Sequence, residues 1–104
     1  MRPLLGSDIS AAARALLAVA EADRPDLCTQ MINEADQADR YTRRSGSIHP
    51  VWGNGTLRAA AFAHGLADEP TFDDENYCNC FCLVLAKLAD RRAKRDLYIK
   101  NSGI

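Results

Sequence analysis

The sequence has few aromatic residues and no long apolar run, and its basic and acidic residues are nearly equal in number. Only 7% of its 104 residues are aromatic, which argues against a β-sandwich or barrel, because strands favour aromatic and β-branched side chains. No apolar run reaches the roughly 18 residues that span a membrane. The 13 basic and 14 acidic residues give a formal charge of −1, so the chain is not a generally basic nucleic-acid coat.

The cysteines do not have the spacing of a disulfide framework or of a metal site. Three of the four alternate along the chain, as Cys78, Cys80 and Cys82, whereas structural zinc sites usually use cysteines that are separated by two residues. On a helix Cys80 points about 200° away from Cys78, so the three thiols cannot converge on one ion. We therefore expect free thiols packed in the core, no metal and no cofactor.

No residues combine into a recognisable catalytic site. Neither His49 nor His64 has a nucleophile and an orienting group at a spacing that predicts a triad, so we expect no enzyme activity. The enzymatic alternative is a thiol or metal enzyme that uses the neighbouring cysteines. The first residues lack the apolar stretch of a secretory signal, so the sequence predicts a cytoplasmic protein.

Hydrophobic periodicity predicts a single all-α domain over residues 1–104, with helices over about 8–22, 25–44, 56–65 and 74–98. Ser7 is the expected N-cap of the first helix, Pro25 begins the second, and Gly46 ends it. Because about three residues join the first two helices, we expect a helical hairpin, which packs on the long C-terminal helix.

The segment between the second and third helices, residues 47–55, is predicted to be an ordered loop. Its glycines permit turns, and we expect Val51 and Trp52 to fold back over the core. The predicted core consists of Leu16, Leu17, Leu27, Met31, Trp52, Leu57, Phe62, Phe81, Leu85 and Leu88.

The first half of the last helix is apolar nearly all the way round. Between Tyr77 and Ala89 only Asn79 and Lys87 are polar, whereas a surface helix has one apolar stripe. We therefore expect that this helix either lies at the centre of the fold or buries a second apolar face against another subunit or partner. The predicted interface residues are Tyr77, Phe81, Val84, Leu85 and Leu88.

Two basic clusters could neutralise the phosphates of DNA. Basic residues near the C-terminal ends of helices also complement the helix dipole, and the sequence leaves both interpretations open. Without a recognition helix or interleaved aromatic residues, any DNA contact should be weak and sequence-tolerant. The candidate DNA contacts are Arg40, Arg43, Arg44, Arg91, Arg92, Lys94 and Arg95.

The order of several segments resembles a known family of DNA-packaging proteins. The most specific part is ADRYTRRSGSIHPVWGNG (38–55), which AAARALLAVAEADRP (11–25) precedes and DEPTFDDENY (68–77) follows. Together, over roughly residues 2–95, they resemble the small proteins at the head of gene-transfer-agent clusters in alphaproteobacteria related to Rhodobacter. Those proteins are regarded as small terminase subunits of a phage-like packaging machine.

The resemblance implies a non-catalytic subunit in the bacterial cytoplasm that forms a homo-oligomer through its last helix. Such a subunit binds double-stranded DNA, without strong sequence specificity, and delivers it to the large terminase subunit. The sequence departs from the usual phage small terminase because it has no obvious N-terminal helix-turn-helix, so the resemblance does not extend to specific site recognition. The alternative function is a protein-binding adaptor of a phage-like particle that does not contact DNA.

Overall fold

The computed structural model describes the backbone of residues 1–101 and the side chains as far as Leu97. Its helices are α1 (Gly6–Leu17), α2 (Arg24–Ser45), α3 (Leu57–Phe62) and α4 (Glu75–Asn101), and a 3₁₀ turn (Glu21–Asp23) joins α1 to α2. No strand occurs within residues 1–101, and the predicted all-α bundle is confirmed. No described helix is long and apolar enough to cross a membrane.

A buried carboxylate caps the first helix. Leu5, not Ser7 as predicted, occupies the N-cap position of α1, because the backbone N–H of Leu5 donates to Asp8 Oδ2 at 2.8 Å. The other carboxylate oxygen of Asp8 accepts the backbone N–H of Arg58 at 2.9 Å, in the first turn of α3. Asp8 is 3% exposed, so one side chain satisfies otherwise unpaired donors at the N-termini of two helices.

The first helix ends at Leu17, earlier than the predicted boundary at residue 22. The carbonyl of Leu16 accepts the backbone N–H of Val19 at 3.2 Å and Arg24 Nε at 3.0 Å. These contacts turn the chain into the 3₁₀ segment and satisfy helix-end carbonyls that lack an intrahelical partner. The boundaries of α2 agree with the prediction to within a residue, and Gly46 ends it with φ of +72°.

The central helix is α1, which packs mainly against α3 and α4. Its alanines at positions 11, 12, 13 and 15 are buried, and such small side chains let the neighbouring helices approach closely. The hypothesis that α4 is the centre of the fold is therefore wrong. The largest fully buried side chains are Tyr77, Leu16, Met31, Leu57, Val84, Cys28 and Cys80.

Part of the predicted core lies at the surface. Leu16, Met31 and Leu57 are buried as expected. Phe62 and Leu85 are 53% and 47% exposed, so their assignment to the core was wrong. Side chains that pack at the edge of the core include Leu17, Leu27, Phe81 and Leu88.

Contacts along the helices show that α2 and α4 run in the same direction. Ile32 lies beside Lys87, and Asp36, one turn further along α2, is bonded to Arg91, one turn further along α4. α1 crosses in the opposite direction, since Ser10 bonds Tyr77 while Leu5 lies beside later residues of α4. The C-terminal halves of α2 and α4 therefore lie toward the same end of the bundle.

The loop between α2 and α3 is built on glycines with positive φ. Gly55 has φ of +98°, and a Cβ added there would lie 2.7 Å from Asp39 Cα. Two backbone hydrogen bonds join His49 and Gly53. Trp52 is half-buried and stacks on His49 with ring centroids 4.7 Å apart. Val51 is 63% exposed, so the prediction that it covers the core was wrong.

We predict that Gly55→Ala lowers the free energy of unfolding by about 2 kcal/mol or more, because both positive φ and collision with α2 oppose a side chain. Gly46→Ala meets no described atom within 4 Å but keeps a positive φ, so it should cost only about 1 kcal/mol. Gly65→Ala, which has neither problem, is the control. Urea unfolding measures the free energies of unfolding of the three variants, and equal values would contradict the prediction.

We also predict that Asp8→Ala lowers the free energy of unfolding by about 2 kcal/mol, because two backbone donors lose a charged acceptor. Asp8→Asn keeps one acceptor oxygen and should cost less. The control is Asp26→Ala, which removes an exposed first-turn carboxylate of α2 and should cost about 0.5 kcal/mol. Thermal unfolding measures the stability of both variants. Equal losses of stability for Asp8→Ala and Asp26→Ala would contradict the conclusion that Asp8 caps both α1 and α3.

Candidate nucleic-acid interface

The exposed face of the last turns of α2 forms a polar surface, which we call the basic α2 surface. It is a shallow depression of about 450 Å³ lined by Gln37, Arg40, Tyr41, Arg44, Ser45 and His49. Arg40 and Arg44 are one helical turn apart, so their Cβ atoms lie about 6 Å apart. None of the described side chains that line the depression is acidic.

His49 belongs to this surface through the loop that follows α2. Its Nδ1 accepts the backbone N–H groups of Val51 and Trp52, both at 3.1 Å. Tyr41 packs against His49 edge to face, with ring centroids 5.0 Å apart. Because Nδ1 is an acceptor, the neutral ring carries its proton on Nε2 and can donate a hydrogen bond from there.

Two of the predicted DNA contacts are engaged in ion pairs within the chain. Arg91 Nη2 lies 2.7 and 2.8 Å from the two carboxylate oxygens of Asp36. Arg43 lies 3.1 Å from Asp39. The α-amino group of Met1 contacts both carboxylates, at 2.8 and 3.1 Å. The charges of Arg43 and Arg91 are thus partly neutralised before any ligand arrives.

The pKa values of these two carboxyl groups reflect the same contacts. Burial alone would raise the pKa of Asp36, but hydrogen bonds and charges from the Met1 amino group and Arg91 outweigh it and hold the pKa below its usual value. For Asp39 the same amino group, with Arg43, lowers the pKa against the effect of burial.

The remaining basic residues of α4 lie in two different settings. Arg92 and Arg95 line a groove that also contains Leu4, Leu5 and Leu85. Lys94 lines a smaller depression between α2 and α4 together with Asp90. The structure therefore does not combine the seven predicted DNA contacts into one surface; it separates Arg40 and Arg44 from the others.

The whole bundle is electrostatically polar, because α2 and α4 run in the same direction. Acidic residues outnumber basic residues at the N-terminal ends of both helices and in the turn before α2. In the C-terminal halves the basic residues outnumber the acidic ones, which are Asp36, Asp39, Asp90 and Asp96. Net charge near zero thus conceals a basic end that can attract polyanions. The acidic residues at and before the N-terminal ends are Glu21, Asp23, Asp26, Asp73, Asp74 and Glu75.

Some of the predicted interface residues lie in the core, and others lie at the surface. Tyr77 and Val84 are 2% and 0% exposed, so the chain itself covers them and the prediction that they form a subunit interface was wrong. Leu85 is exposed, and Phe81 and Leu88 are half-buried. Between Tyr77 and Asp90, one side of α4 is therefore exposed and can contact a partner.

The cysteines and histidines do not form a combined site. Burial raises the pKa of Cys28 to about 11 and also raises that of Cys80, which keeps both thiols protonated. Cys82 is exposed, so the expectation that all thiols lie in the core was wrong for it. His64 Nε2 lies 2.7 Å from Glu34 Oε1. Within the described side chains no group of three possible ligands could hold a metal ion.

Sequence reasoning missed four members of the basic α2 surface, namely Gln37, Tyr41, Ser45 and His49. A signal for the first three was present: with Arg40 and Arg44 they recur at helical spacing and form a polar stripe. His49 could not be assigned in this way, because its place depends on the fold of the loop.

These observations define a small helical bundle that has a basic face on one helix. A family model matches residues 2–88. The chain belongs to this family, DUF7742, a domain of unknown function. The match includes the basic α2 surface and ends before Arg91. No match is found among curated proteins or solved structures.

We predict that Arg91→Ala lowers the free energy of unfolding by about 1 kcal/mol at pH 7, since a partly exposed ion pair is lost. The folded pKa of Asp36 is depressed, so its stabilising contribution is present above the usual value of 3.8 and is lost as pH falls below it. The difference from wild type should therefore shrink toward pH 2.

Urea unfolding at pH 7 and at low pH measures this difference. Arg92→Ala is the matched control, because Arg92 is exposed and its removal should change stability little at either pH. A stability loss for Arg91→Ala that stays constant down to low pH would contradict the assignment to the Asp36 pair.

Proposed function

We propose that the chain is a non-catalytic DNA-binding subunit of a DNA-packaging machine, of the small terminase type, in the cytoplasm of a bacterial cell. It binds double-stranded DNA weakly and without strong sequence specificity, self-associates, and delivers the DNA to a large terminase subunit. The observation that carries this proposal is the basic α2 surface, where Arg40 and Arg44 lie among hydrogen-bond donors without an acidic neighbour in the lining.

The chemistry of this surface suits a phosphate backbone. Guanidinium groups bind phosphate oxygens through charge-assisted hydrogen bonds, and the side chains of Gln37 and Tyr41 add neutral donors. The hydroxyl of Ser45 donates to the backbone carbonyl of Tyr41 at 2.8 Å. Both arginines are exposed, so neither has to leave a buried ion pair in order to bind. Arg43 and Arg91, by contrast, would have to share their charge with Asp39 and Asp36.

The same geometry favours sequence tolerance. Contacts to phosphates fix the position of a protein on a duplex but carry no sequence information. One subunit with about two strong phosphate contacts binds weakly, and several linked subunits would multiply that affinity through effective concentration. Self-association therefore has a physical role in the proposal, because it converts a weak contact into a useful one.

We predict that Arg40→Ala/Arg44→Ala weakens binding to any duplex by about tenfold and lowers the salt slope of log K by about two, since each lost phosphate contact removes roughly 0.9. Fluorescence anisotropy with duplexes of unrelated sequence, over a range of salt concentrations, measures both quantities. Circular dichroism confirms that the fold is kept.

Arg92→Ala/Arg95→Ala removes the same charge from α4 and is the matched control. We expect this control to reduce affinity much less. Equal losses for the two double variants would assign the effect to net charge and contradict a site on α2. If wild-type protein shows no DNA affinity at moderate salt, the adaptor alternative replaces the proposal.

A further inference from the structure

An open groove lies between the N-terminal segment and the second half of α4. Its volume is about 830 Å³, and we call it the leucine groove. Its apolar lining includes Leu4, Leu5, Ile9, Leu85 and Leu88. Leu5 is 68% exposed and Leu85 is 47% exposed, so apolar surface faces solvent there. Such grouped exposure marks a binding surface more often than scattered apolar residues do.

Arginines form one edge of this groove. Arg92 and Arg95 lie one helical turn apart on α4, and both are exposed. Arg91 also lines the groove, although Asp36 already holds its side chain. Asp96 is the one acidic residue among the described groove residues. The groove is therefore apolar at its base and positively charged along its edge.

We propose that the leucine groove binds an amphipathic helical segment of a protein partner, with aliphatic side chains on one face and Asp or Glu beside them. A helix that lies in a groove between two segments is a common mode of peptide recognition, with apolar anchors at i, i+3, i+4 and i+7. The aliphatic side chains would cover Leu5 and Leu85, and the carboxylates would pair with Arg92 and Arg95.

Charge complementarity favours this occupant over two others. A DNA backbone on this surface would have to bury its phosphates against leucines, which is costly because charged groups lose hydration there. A symmetric pair of chains would place the same arginine-edged surface on both sides of the contact, and like charges facing each other oppose association. The inference goes beyond the proposed DNA-binding function, because it assigns a second binding site to another helix.

Two synthetic helical peptides test the proposal. Both carry leucines at i, i+3, i+4 and i+7; one has Glu at the flanking positions, and the other has Lys there. In titrations of ¹⁵N-labelled protein, the Leu/Glu peptide should cause saturable shifts at Leu5, Ile9 and Ala89, and the Leu/Lys peptide should bind at least about tenfold more weakly. Arg40→Ala/Arg44→Ala should leave the affinity for the Leu/Glu peptide unchanged.

Two variants assign the contacts. Leu85→Asp should weaken binding of the Leu/Glu peptide by about tenfold or more, since it puts a like charge in the apolar base. Arg92→Glu/Arg95→Glu should reverse the preference, so that the Leu/Lys peptide binds more tightly than the Leu/Glu peptide. The double variant changes only exposed positions, so the charge test does not depend on the stability of Leu85→Asp.

Three results would overturn the proposal. The first is the absence of saturable shifts with the Leu/Glu peptide, or equal binding of both peptides to the wild-type protein. The second is that added unlabelled protein shifts the same residues, which would make a second copy the occupant. The third is that a short DNA duplex shifts these residues rather than those of the basic α2 surface.

Discussion

The fold depends on one buried carboxylate, that of Asp8. The N-termini of α1 and α3 meet at this side chain, and each end supplies a backbone donor and the positive end of a helix dipole. α3 has only six residues, so it is too short to be stable by itself and needs a tertiary anchor. Once α3 is held, the loop before it must close against α2, which explains the close approach of Gly55 to Asp39.

The parallel arrangement of α2 and α4 determines where charge and apolar surface lie. A helical hairpin brings opposite ends of its helices together, whereas these two helices, separated by α3, bring like ends together. Asp36 and Arg91 fix the register between them. Because each helix is acidic at its start and basic at its end, the shared direction adds their charges. The basic end is thus a property of the topology as much as of the composition.

The all-α class and the limits of α2 could be predicted because their signals are local. Proline at the start of α2 and Gly46 at its end restrict the backbone directly. The N-cap at Leu5 could not be predicted, because its hydrogen bond depends on a carboxylate that α3 also holds in place. The exposure of Phe62 and Leu85 was missed for a related reason: apolar periodicity shows that a face can be buried but does not show whether a neighbour covers it.

A list of the basic residues does not show which partner each of them suits, because that depends on the neighbouring side chains. The sequence presents seven cations in two clusters, but their surroundings divide them by chemistry: Arg40 and Arg44 lie among polar donors, Arg43 and Arg91 lie against carboxylates, and Arg92 and Arg95 border leucines. A guanidinium beside polar donors suits a phosphate that stays partly hydrated, whereas one beside leucines suits a carboxylate carried on an apolar helix. The same residue type on two separate surfaces of one bundle therefore favours two different partners, and the difference comes from the neighbours that the fold supplies.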